Sequence, residues 1–153
     1  MKLIISKAMM LVATAAALLS FSSNFGGEGF EISLNGKLLL QQFGKDLNTV
    51  KTLQLNQSLP DDRLIIRYYH CGRVGKNRVV TIKDAQDKLI KEWRFNDASS
   101  AVSAMSCPVK EIMGLKKNNN AVFKLYYSSS ELPNGRQLAS IVTNNTLVAS
   151  ARK

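Results

Sequence analysis

The chain's one histidine, His70, stands beside Cys71, one of two cysteines, in the stretch YYHCGRVGKNR over residues 68–78. Imidazole and thiol are the side chains best suited to nucleophilic or metal chemistry near neutral pH. Neighbouring residues of an extended strand, however, point to opposite faces. While the strand persists, His70 and Cys71 therefore cannot act as base and nucleophile or share one metal ion. The pairing left open is His70 with Cys107, which defines a thiol enzyme with an imidazole base. Its serine counterpart lacks a GxSxG elbow and would need an exposed His70. In an exported chain two cysteines read first as one disulfide, Cys71 to Cys107, closing a loop worth roughly 4 kcal/mol at best. Free structural thiols are the other non-catalytic reading.

Metal and nucleotide chemistry find less support. One histidine and two cysteines, without CxxC or HxxxH, are too few soft ligands for a closed zinc site. Asp61-Asp62 follows a proline and reads as a turn, and no spaced acidic loop suggests calcium. GRVGKN is shorter than the phosphate-loop signature, has Asn77 after its lysine, and precedes a strand instead of a helix. No metal, cofactor or catalytic residue is therefore assigned, and the expectation is a protein without enzymatic activity.

Charge points to binding. The net charge is +10, or about +8 without Lys2 and Lys7 of the N-terminal segment. Residues 63–94 hold nine Lys or Arg against three acids and supply most of that excess. Such a field favours an anionic glycan, a lipid surface or an acidic partner protein, with nucleic acid ranked last for an exported chain. Within it the candidate ligand residues are Arg63, Arg67, Tyr69, Arg73, Lys76 and Arg78, since aromatic and guanidinium groups suit such ligands. Backbone amides at Gly72 and Gly75 would add anion-binding donors.

These residues need a scaffold. The apolar block AMMLVATAAALLSF over residues 8–21, behind a short basic N-region, marks residues 1–23 as a signal peptide cleaved between about 22 and 28. It is shorter than the roughly 20 apolar residues of a membrane span. What remains, residues 28–153, is expected to be one periplasmic or extracellular domain with no transmembrane span. GFEISLNGKLLLQQF reads as a hairpin turning at Asn35-Gly36, with Ile32 facing Leu39 and an internal second strand that is apolar on both sides. Strands are expected at 49–55, 63–71, 78–83, 88–95, 121–129 and 136–143, with loops at 96–106 and 131–135. In the 63–71 strand Leu64, Ile66, Tyr68 and His70 face inward, while Arg63, Ile65, Arg67, Tyr69 and Cys71 face outward. CPVKEIMGLKK changes to helical spacing and predicts one short helix near 108–116.

Seven to eight short strands with almost no room for helical crossovers predict an all-β antiparallel sandwich, immunoglobulin-like or similar. The leading functional expectation is a non-enzymatic binding or assembly module with a basic surface for an anionic envelope component or protein partner. Beside it stand a small hydrolase or thiol enzyme using His70 and Cys107, and an accessory subunit that pairs with a partner through an edge strand such as RQLASIVT.

Overall fold

In the computed structural model the described residues are 27–55, 59, 61–115 and 120–144. The expected signal peptide, its cleavage position and residues 145–153 lie outside them. The strands are β1 (Glu28–Leu34), β2 (Lys37–Phe43), β3 (Lys51–Leu55), β4 (Arg63–His70), β5 (Arg78–Lys83), β6 (Leu89–Phe95), β7 (Met105–Pro108), β8 (Asn120–Ser129) and β9 (Leu132–Asn144). One short helix, α1 (Val109–Gly114), falls between β7 and β8. The strands form two sheets in the orders β2-β1-β4-β7 and β3-β9-β8-β5-β6. The fold is a β-sandwich, as the alternating pattern predicts.

One apolar core lies between the sheets. Phe30 and Ile32 of β1, Leu64 and Ile66 of β4, and Met105 and Cys107 of β7 meet Val80 and Ile82 of β5, Phe123 and Leu125 of β8, and Ile141 of β9. Each large apolar side chain buried there contributes about 1.5–3 kcal/mol. Val109 and Ile112 of α1 join the same core.

The Asn-Gly turn forms as expected, with Asn35 at φ 50° and Gly36 at φ 87°. Asn35 does more than turn the chain: its side chain accepts from the Arg63 amide at 2.8 Å and donates to Asp62 at 2.8 Å. The hairpin register differs from expectation. A bulge after Ile32 sets it opposite Leu40 in place of Leu39. β2 is an edge strand and not internal, and it leaves Leu38 and Leu39 exposed.

Three further differences come from long-range pairing. β9 lies between β3 and β8, so RQLASIVT is an interior strand and not an edge available to a partner. It also begins at Leu132, absorbing most of the expected 131–135 loop. β3 pairs with β9 in parallel, the crossover being everything from β4 to β8. β7 takes the last two residues of the expected 96–106 loop and the two that follow; it is held by β4, and its Pro108 stands on the sheet edge, where a missing N–H is tolerated.

Candidate functional site

β4 delivers Tyr68 and His70 into the sandwich at the end of the strand, as the alternation predicts, and β8 delivers Tyr127 and Ser129 from the facing sheet. The Tyr68 and Tyr127 rings stack with centroids 4.5 Å apart, and the His70 ring lies 4.7 Å from Tyr68. His70 Nε2 stands 2.9 Å from the Tyr127 hydroxyl and 3.3 Å from Ser129 Oγ. With the imidazole proton on Nδ1, Tyr127 donates to Nε2. Burial lowers the His70 pKa from its ordinary value, only partly opposed by the charges of Glu131 and Glu28. The ring is therefore held neutral and shared between two hydroxyls.

A second polar link closes the same end. Tyr68 donates its hydroxyl to the Glu28 carboxylate, and Arg136 of β9 donates to the other carboxylate oxygen at 3.3 Å. Burial first, and then the Glu28 hydrogen bond, push the Tyr68 pKa well above the ordinary phenol value. Both sheets are thus joined by aromatic stacking and by paired polar groups in a region of low dielectric, with the Arg136 Nε left without a hydrogen-bond partner.

The turn at residues 71–77 covers this cluster. Gly75 packs so closely that a Cβ there would lie 3.0 Å from the Tyr127 hydroxyl and 3.3 Å from His70 Nε2. Its carbonyl accepts from the Ala98 amide at 2.8 Å, and the Asn77 amide donates to Asp97 at 2.8 Å. Arg78 completes the attachment. Its Nε and Nη2 donate to the Asn96 carbonyl at 2.9 and 2.8 Å, and its Nη1 donates to the Ser103 carbonyl at 2.9 Å. Between this turn and the loop lies a crevice of about 240 Å³ lined by Tyr69, His70, Gly72, Ala101 and Val102.

The cysteines part company. Neither forms a disulfide in this structure. Cys107 pairs with Leu64, at the far end of β4 from Cys71. Seven residues of strand separate Leu64 from Cys71, about 23 Å at the usual rise, and a bond needs Cα atoms within about 7 Å. The same distance argument separates Cys107 from His70 by about 20 Å, so the thiol-imidazole pair does not assemble. Cys107 is also fully buried, and burial, reinforced by Glu111, pushes its pKa up to about 12. Cys71 is exposed and bends away from the strand at φ 51°.

The six candidate ligand residues divide as well. Arg63 and Arg67 lie on the outer face of the four-stranded sheet, half-exposed, with Arg67 opposite Glu31. Arg73 and Lys76 are exposed in the turn. Tyr69 points outward but is nearly covered: Phe43 lies across Gly29, and its ring centroid is 5.5 Å from that of Tyr69. Burial and a hydrogen bond to Glu31 push the Tyr69 pKa up to about 12. Arg78 is buried, its fork committed to backbone carbonyls, so it is a structural residue and not a ligand contact. Sequence reading missed Tyr127, Ser129, Glu28 and Arg136. The alternation of AVFKLYYSS, which puts Tyr127 and Ser129 on the face of Phe123 and Leu125, was the available signal.

Among the described residues no group of three or more His, Cys, Asp or Glu is placed to hold a metal ion, and no helix is long and apolar enough to cross a membrane. The fold and this site define a two-sheet β-sandwich closed at one end by a neutral histidine cluster. No protein-family model matches the chain, and no curated protein matches it.

Proposed function

We propose that the protein is a non-enzymatic binding module, exported to the periplasm or beyond, that holds an anionic envelope component, with an acidic glycan as the ligand class. One observation carries this reading. Arg63, Arg67, Arg73 and Lys76 take part in no ion pair among the described residues, whereas other cations such as Lys91, Arg94, Lys124 and Arg136 are matched by carboxylates. The three arginines follow β4 and its turn, an extended row suited to a linear polyanion. The Glu31 carboxylate opposite Arg67 accepts from Gln41 at 2.9 Å and from Tyr69, and it forms no ion pair with Arg67 among the described residues. Exposed and unpaired guanidinium groups bind carboxylate or sulfate groups through paired hydrogen bonds.

The test is retention on an acidic polysaccharide across a salt gradient, since attraction between exposed charges weakens as salt screens it. Replacing Arg67, Arg73 and Lys76 together by Glu is expected to weaken binding by at least about tenfold. Retention that ignores salt, or a triple variant that binds like the parent, overturns the proposal.

A further inference from the structure

The opposite sheet carries a feature that the β4 row does not use. β8 and β9 pair regularly from Asn120↔Asn144 to Leu125↔Ala139, and then the register breaks. Tyr127 pairs with Arg136 and Ser129 with Leu132, so Pro133, Asn134 and Gly135 stand opposite the single residue Ser128. Gly135 permits this with φ 69°, and a Cβ there would come within 3.2 Å of the Tyr127 carbonyl oxygen. Bulges re-aim side chains and often stand beside binding sites. Here three residues against one raise a lip on the outer face, beside a depression of about 250 Å³.

The lining of that depression defines a ligand class. Lys83 places its ammonium 4.3 Å from the centre of the Tyr126 ring and is in no ion pair among the described residues. The neighbouring cations are neutralised: Lys124 by Asp87 at 2.8 Å, and Arg94 by Glu92 at 2.7 Å. Lys83 has no carboxylate within ion-pair distance among the described residues; Asp87 acts on it only from further off while holding Lys124, and Glu92, which also lines the depression, is held by Arg94. Thr81 and Ser128 offer hydroxyls there, and Asn134 on the lip offers an amide. Tyr126 is fixed by donating to Gln137 at 3.3 Å, while Gln137 donates to Ser140 at 3.3 Å. An aromatic wall, several hydroxyl and amide groups and one ammonium match a sugar ring bearing one carboxylate. The volume lies just below the roughly 300–1,000 Å³ of drug-sized sites, which suits a single ring.

We propose that this depression binds one hexuronate unit, with Lys83 meeting the carboxylate, Tyr126 forming the apolar wall, and Thr81, Ser128 and Asn134 bonding to ring hydroxyls. The site is on the other sheet from the β4 row and stands independently of it. Titration of the ¹⁵N-labelled protein with a glucuronate-containing disaccharide, and separately with its neutral glucose counterpart, tests it by amide shift mapping. The acidic sugar is expected to move amides around Lys83, Tyr126, Ser128 and Gly135, and the neutral one to bind at least about tenfold more weakly. Lys83→Gln is expected to lose about tenfold in affinity and Lys83→Arg to retain it. Three results overturn the proposal: no shifts at these amides, equal binding of both sugars, or unchanged affinity in Lys83→Gln. Shifts confined to Arg67, Arg73 and Lys76 also overturn it while supporting the β4 row.

Discussion

Arg78 separates two accounts of the basic turn, because a ligand contact and a structural fork respond oppositely to its removal. In Arg78→Met the stem is replaced by a side chain of similar reach that fills the same space, so the change isolates the guanidinium. Lost are three N–H donors to two carbonyls, those of Asn96 and Ser103. A hydrogen bond to a charged group contributes about 1.5–3 kcal/mol. Rehydration of both loop carbonyls, and the desolvation cost of burying guanidinium, reduce the net loss to about 2–4 kcal/mol. For a domain of this size that lowers Tm by about 10 °C. Urea unfolding followed through Trp93 should show a lower midpoint at unchanged slope, the mark of altered stability alone. The Ala98 amide, bonded to the Gly75 carbonyl at 2.8 Å, should exchange faster as the loop loosens. Arg78→Lys should recover only part of the loss, since an ammonium cannot span both carbonyls as the planar fork does. Full stability in Arg78→Met, with weakened retention on acidic polysaccharide, would refute the structural assignment and return Arg78 to the ligand surface.

Two further outcomes follow from the cysteines and from His70. Thiol titration of the reduced and desalted native protein should count one reactive thiol, the exposed Cys71, and a second only in denaturant, when buried Cys107 is released. No thiol in either condition after export would show that the two residues had bonded through a rearranged fold. For His70 the folded pKa lies below the ordinary 6.5 because burial disfavours the cation. The unfolded chain therefore takes up the proton first as pH falls, and the stability that His70 contributes is complete above about 6.5 and declines below it. Denaturation midpoints measured between pH 7.5 and 5 should fall in the parent and change less in His70→Gln. A parent that gains stability over that interval would contradict the buried neutral imidazole.

Local chemistry made several elements legible. Asn35-Gly36 specified its turn because two successive positive φ values are hard for other residue pairs. The β4 alternation placed Tyr68 and His70 inward because a strand has period two and one face must meet the core. α1 came from the change of period at Pro108. The misses have a common origin in pairing over long sequence distances. The apolar run KLLLQQF looked internal, yet only one neighbour reaches β2, and nothing in those seven residues records that count. MSCP contains too short a pattern to announce a strand, and its place is supplied by β4.

The site shows the same division. The sequence by itself determined the strand class, the inward histidine and the supply of cations, since each depends on side-chain type and local periodicity. Only the tertiary structure decided their roles. It brought Tyr127 and Ser129 to His70 across 57 and 59 residues, set Cys107 at the other end of β4 from Cys71, and turned Arg78 inward while leaving Arg73 and Lys76 outside. The physical reason is that burial and hydrogen-bond partners are properties of packed surfaces. Arginines alike in sequence differ in role once one of them finds two backbone carbonyls that need donors and its neighbours find water.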